Sequence, residues 1–280
     1  MKLYKFLAVI FIFSLSVSCT DVVDVEVPTA EPRLVIEASL DWLKGTSGQT
    51  QTIKLSTTTP YFELDVPNAV TGAQVQVAKQ SDNTIFEFTD NNDGTYTTTG
   101  FDAVLGETYT LTVVYEGEVY TATETLLPTT PITQVFQSKD GGIFSDVLEV
   151  NVYFNDPAEE TNFYVLKYQD QSDDFPSLMD VSDEFLNGNE VHLFFEKNGD
   201  DEEDEFQPGD VVDINLYNVS ERYYNYIKLL NSQLSGNPFA PPPVEIRGNC
   251  INETNPENYA YGYFRVTETD KRTYTFTDEN

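Results

Sequence analysis

The stretch that decides the fold is GETYTLTVVYEGEVYTATET, residues 106–125. Tyr109, Leu111, Val113 and Tyr115 recur at every second position, which puts one apolar face on an extended strand. Glu116-Gly117 breaks the run, and β-type residues resume at once. Two such runs around a two-residue turn predict a β-hairpin. TIFEFTDNNDGTYTTT (84–99) repeats the arrangement, with Gly94 placed to supply the positive φ of a tight turn.

Working outward, Leu34, Ile36 and Ala38 alternate with polar neighbours, as do Ile53 with Leu55 and Val75 with Val77. About seven short strands with turn signals between them predict an antiparallel, immunoglobulin-like β-sandwich over residues 33–127. LLPTTPITQ (126–134) reads as a domain boundary. Beyond it, over 128–280, a second strand-rich domain is expected. Leu148, Val150, Val152 and Phe154 alternate there with Glu149, Asn151 and Tyr153, and similar runs surround Val191 and Val212. The overall expectation is a mainly β chain.

One segment departs from the period of two. In NVSERYYNYIKLLNSQL, Tyr223, Ile227, Leu230 and Leu234 stand at helical spacing, with Asn218 and Glu221 as a capping box. A single helix is expected over about 219–235, ended by Gly236 and Pro238. The prolines of NPFAPPPVEIRGN (237–249) favour an extended polyproline conformation.

The N-terminus speaks of location. Lys2 and Lys5 precede the apolar run Leu7–Phe13, too short for the roughly 20 residues of a spanning helix. Residues 1–18 therefore read as a signal peptide. Cys19 follows Ser18 directly and resembles the acylated cysteine of bacterial lipoproteins, although Ser16 stands where leucine is usual. The competing reading is an ordinary signal cleaved near Ser18. Acyl chains on Cys19 would tie the chain to a membrane, with residues 19–32 as an acidic tether.

Composition excludes whole classes of function. With 47 acidic against 15 basic residues and a net charge of −32, nucleic acid is a poor partner. A 40% hydrophobic, 13% aromatic content still supplies packed cores. Two cysteines, one of them Cys19, leave Cys250 without a partner and most simply a small buried hydrophobe. His192 is the only histidine, and alternation places it on the outward face of its strand. No nucleophile elbow, phosphate loop or zinc spacing accompanies it, so catalysis, a cofactor and a zinc site are not expected.

Two groups remain as binding candidates. Asp200, Asp201, Glu202, Glu203, Asp204 and Glu205 form a run of carboxylates that calcium would suit, though without the spacing of a calcium loop. A solvated acidic loop is the competing reading. Trp42, in an expected loop after the first strand, and Tyr259, Tyr261 and Tyr263, on one expected strand face, are candidate ligand contacts. Packing within the sheet is the alternative for all four.

Several of these segments together resemble one family. CTDVVDVEVPTAEPRLVIEASL, TIKLSTTTPYF, NNDGTYTT, YYNYIKLLNSQLSGNPFAPPPVEIRGN and NPENYAYGYFRV are similar to the domain-of-unknown-function 4249 group of Bacteroidota lipoproteins, over nearly the whole chain from Cys19. The resemblance implies an outer-membrane lipoprotein encoded beside a TonB-dependent receptor barrel. It also makes Asp21, Asp24 and Glu26 similar to the surface-export signals of that phylum. It carries over no catalytic residues. The expected function is thus a lipid-anchored, cell-surface accessory that captures a ligand for a TonB-dependent transporter. A free-standing glycan-binding or adhesin module is the alternative, and an acid-dependent hydrolase comes third.

Overall fold

A computed structural model describes residues 30–60, 67–139, 141–143, 147–184, 187–197, 205–234, 242 and 244–278. The mainly β expectation holds, with a single helix among the described residues. The seven N-terminal strands are β1 (Leu34–Leu43), β2 (Gln51–Thr57), β3 (Gln74–Lys79), β4 (Ile85–Asp90), β5 (Thr95–Thr98), β6 (Thr108–Tyr115) and β7 (Glu118–Thr125). They are followed by β8 (Ile132–Ser138), β9 (Glu149–Asn155), β10 (Phe163–Asp170), β11 (Ser177–Ser182), β12 (Glu190–Glu196) and β13 (Val211–Asn218). Helix α1 (Glu221–Leu234), β14 (Ile251–Asn252) and β15 (Tyr261–Thr275) complete the chain. No described helix is long and apolar enough to cross a membrane.

The deciding hairpin forms as its sequence predicts. Tyr115 pairs with Glu118, and Glu116 and Gly117 both have positive φ, at 50° and 81°. That pair of angles suits the right-handed twist of the two strands. Tyr109, Leu111 and Val113 are buried on one side of β6, and Tyr120 and Ala122 join them from β7. In the second hairpin, Gly94 has φ 87°, and a Cβ there would press on the Leu55 carbonyl and Ala69. β4 pairs with β3 through Ile85–Phe88 and with β5 through Thr89 and Asp90, so it passes from one layer of the sandwich to the other.

Two expectations change at the C-terminus. The sandwich is not purely antiparallel, because β15 lies parallel to β1, in register from Val35 against Tyr261 to Leu43 against Thr269. Nor does the chain divide cleanly at 127/128. Cys250, Ala260, Phe264 and Val266 pack into the core built by residues 34–126, while Phe276 enters a second core with Val150, Phe154, Leu166 and Leu216. β15 is long enough to do both: its last residues, Thr269–Thr275, pair with β13. One twelve-stranded sheet therefore runs through both cores, in the order β11-β10-β13-β15-β1-β2-β5-β4-β3-β6-β7-β14; β12, β9 and β8 form a separate three-stranded sheet.

The expected linker is clamped against β15. The Thr129 amide donates to Glu268 Oε2 at 3.0 Å and the Ile132 amide to Asp270 Oδ2 at 2.8 Å, while Glu268 N donates to the Leu127 carbonyl. Side chains on one strand thus satisfy the backbone of the connection, which would otherwise be buried without partners.

Helix α1 begins later than the capping box predicts. Asn218 is still paired in β13, opposite Tyr164, and its side chain donates to the Pro128 carbonyl. Ser220 caps the helix instead, its Oγ accepting from the Tyr223 amide. Tyr223 and Ile227 are buried against Val165, Tyr217 and Tyr263, and Leu230 is half-buried beside them. Leu234 is exposed. Gly236, Pro238 and most of the proline block lie outside the described residues.

Because β15 completes the N-terminal core, residues 30–127 expressed alone should show no cooperative thermal transition by circular dichroism. In the full chain, Phe264→Ala should lower unfolding stability by about 3–5 kcal/mol in denaturant titration.

Candidate functional site

The expected tyrosine face is unevenly covered, and Gly262 stands between its two strand residues. This residue has φ 87°, and its α-carbon lies so close to the Ile36 backbone that a Cβ would collide with it. Gly248 packs equally tightly against the Gly262 carbonyl. The pairing with β1 continues through Gly262 without a shift, Tyr261 opposite Val35 and Tyr263 opposite Glu37, yet the two rings meet different surroundings. Tyr263 is buried against Tyr223 and Tyr226 of α1, and its hydroxyl donates to Glu124 Oε1 at 2.9 Å. It is a core residue.

Tyr259 and Tyr261 do come together, with ring centroids 5.5 Å apart and edge to face. Their hydroxyls both donate to Glu245 Oε1. Two guanidinium groups lie over the Tyr259 ring, Arg33 at 3.8 Å and Arg247 at 3.5 Å from its centroid. Arg247 also pairs with Glu245 Oε2 at 2.7 Å. The hydrogen bond from Tyr261, and then that from Arg247, hold the Glu245 carboxyl below its usual range.

Arg33 stands one residue before β1. Its Nη1 donates to the Glu257 carbonyl, and its backbone exchanges hydrogen bonds with Thr58. The result is a cationic and aromatic platform at the start of β1. Tyr259 and Tyr261 are half-buried there, whereas Arg247 and Glu245 are exposed. Cation–π contact with two arginines fixes the ring, while Arg247 gives Nε and Nη2 to Glu245 Oε2 and Arg33 gives Nη1 to the Glu257 carbonyl. The sequence reading found the two tyrosines but not Arg33, Arg247 or Glu245. A basic residue is rare in this chain, and Arg247, a short way before Tyr259 in sequence, was the available signal; Arg33, near the other end of the chain, gave none.

The other candidates sit as follows. Trp42 lies within β1, not in a loop after it, and packs half-buried against the N-terminal core. Its indole N–H donates to the Thr46 carbonyl at 2.8 Å, and a Cβ on Gly48 would strike the ring, so Trp42 holds the β1–β2 turn. His192 is exposed on β12, as alternation predicts; its ring stacks on Tyr153 with centroids 4.3 Å apart, and Nε2 lies 2.6 Å from Asn151 Oδ1. Cys250 is a buried free thiol, pushed up to about 12 by burial, consistent with a small hydrophobe. Cys19 and the acids Asp200, Asp201, Glu202, Glu203 and Asp204 lie outside the described residues. Glu205 is half-buried beside Phe206.

The sequence profile of the DUF4249 family, a domain of unknown function, matches residues 20–273. The chain belongs to the DUF4249 family. No curated protein matches it. Among solved structures, a two-domain fibronectin type-III segment of chicken tenascin aligns with 68% of this DUF4249 chain and 91% of its own, at 15% identity and a TM-score of 0.22. A cytokine receptor complex aligns with 69% of this chain and 86% of its own, at 11% identity and 0.26. The FN1–FN3 domains of chicken CNTN1 align with 68% and 62%, at 16% identity and 0.25. Likeness at these scores carries no argument about this chain.

Close to the platform, Glu124 is a buried carboxylate that accepts from Tyr263 and from Asn249 Nδ2. Burial pushes its carboxyl above the ordinary value of 4.5, only partly opposed by the Tyr263 hydrogen bond. The raised value means that Glu124 favours the fold at low pH, and that this contribution is lost as pH rises through its folded value. Glu124→Gln should therefore melt with the wild type near about pH 4 and a few degrees above it near about pH 8 in calorimetry.

Proposed function

We propose that this DUF4249 protein is a non-catalytic outer-membrane lipoprotein, anchored through Cys19 at the cell surface, that serves a TonB-dependent transporter by capturing its ligand or capping its barrel. The observation that carries the reading is the Arg33–Tyr259–Arg247 platform. In a chain of net charge −32, two guanidinium groups set around one carboxylate, Glu245, form a local exception that a carboxylate-bearing partner surface would meet first. Being joined to the tether, the platform stays near the membrane in which such a barrel sits. The lipoprotein-like cysteine and the company kept by the resembling group support the same assignment. Half-buried Tyr259 and Tyr261 would also suit a sugar, which favours a free-standing glycan-binding or adhesin module as the second reading.

The test is a pull-down of the C-terminally tagged protein in mild detergent, with mass spectrometry of the recovered material and labelling by a palmitate analogue. Wild type should incorporate label and recover a TonB-dependent barrel near equal stoichiometry. Cys19→Ser should lose both. Arg247→Ala should keep the label and the melting temperature but recover at least about tenfold less barrel, the scale of one exposed charge-assisted contact. Recovery of the lipoprotein alone, under conditions that preserve a known barrel complex, would transfer the assignment to the free-standing binder.

A further inference from the structure

The three-stranded sheet holds an unexpected pair of acids. Glu149 opens β9 and lies directly opposite Glu196 of β12 on one side and Ser138 of β8 on the other. Like charges directly opposed across a ladder destabilise it. Alternation along β9 predicts Glu149 and Asn151 on a solvated face, yet they are 0% and 1% exposed.

The hydrogen bonds to Glu149 are one-sided. Oε1 accepts from Ser138 Oγ and from the Gly141 amide at 2.6 Å. Asn151 Nδ2 donates to Ser138 Oγ at 2.8 Å and reaches Glu149 Oε1 at 3.5 Å, and the Asn151 carbonyl oxygen in turn faces His192 Nε2. Every described donor therefore meets Oε1. Oε2 is buried without a hydrogen-bond partner. A buried carboxylate oxygen left in that state is costly unless something outside the chain meets it.

The orphaned oxygen points at a seat. A Cβ on Gly142 would overlap both Glu149 Oε2 and Glu196 Oε2, so the two oxygens converge over that α-carbon. Among the described residues Glu196 receives only the Ile143 amide, at 3.0 Å to Oε1 and 3.2 Å to Oε2, and keeps lone pairs for another contact. Gly141 and Ile143 are exposed, so the seat opens to solvent on that side.

We propose that Glu149 and Glu196 bind a divalent cation, calcium by preference, over the Gly142 backbone. Two carboxylates are hard oxygen donors, and the open side admits the waters that complete a calcium shell of six to eight ligands. The Ser138–Asn151–His192 chain holds Glu149 in the orientation that aims Oε2 at the ion, as outer-shell partners do in metal sites generally. The proposal invokes no residue of the carboxylate run beginning at Asp200, whose acids at 200–204 lie outside the described residues.

The full chain, purified in mild detergent, should be melted in a calorimeter with excess chelator and then with millimolar calcium chloride or magnesium chloride. Calcium should raise the melting temperature by about 5 °C, reversed by chelator, and magnesium by much less. Glu196→Gln removes one donor, and Gly142→Ala fills the seat without altering any charge; both should abolish the calcium increment. The triple variant Asp200→Asn, Asp201→Asn, Asp204→Asn should retain it. No increment in the wild type, an equal increment with magnesium, an undiminished one in Glu196→Gln and Gly142→Ala, or a loss confined to the triple variant would each overturn the proposal.

Discussion

The fold depends on the parallel pairing of β1 with β15. These strands are far apart in sequence yet lie side by side from Val35–Tyr261 to Leu43–Thr269. Without that contact the N-terminal core would lack Phe264 and Val266, and β13 would lose the strand that joins it to the sheet. Closing so long a loop carries a large entropic cost, which must be offset by burial on both sides of the returning strand. β15 supplies this, since eight consecutive residues from Tyr263 to Asp270 are buried.

That burial includes charges, and each finds a partner. Arg265 pairs with Asp41 at 2.5 Å and lies over the rings of Tyr217 and Tyr223. Glu268 pairs with Lys44 at 2.8 Å and also caps the Thr129 amide. Asp270 serves Ile132 and Arg272 in the same way. The hydroxyls of Thr267 and Thr269 donate to the carbonyls of Asn218 and Leu216. An apolar strand could fill the same volume, but it could not satisfy the connection between the cores. Buried ion pairs of this kind add little net stability, while loss of one partner strands the other. Their positions do fix where the linker runs.

The local features were legible and the long-range ones were not. Both tight turns could be read because a positive φ at Gly94 and Gly117 is a property of a few adjacent residues. The period of Tyr223 and Ile227 likewise announced a helix. Nothing adjacent to Tyr261 says that it will lie beside Val35, so the return of the chain into its first core left no local trace. Alternation also misled wherever both faces of a strand are covered. Polar Glu149 and Asn151 gave no sign that their side of β9 is covered, and the tyrosine pattern gave none that α1 packs over Tyr263 and leaves Tyr261 half-buried. Within the platform, aromatic residues were conspicuous. The arginines that hold Tyr259 come from two segments that meet only in the folded chain.

The position of β1 has a mechanical consequence. It is an interior strand, bonded to β15 along one edge and to β2 along the other. A pull applied to the start of β1 would run along the strand axis, so the hydrogen bonds on both edges would be loaded in shear and share the force. An edge strand such as β11 would instead peel one bond at a time. Force applied at that end of the strand would be met by the whole ladder at once.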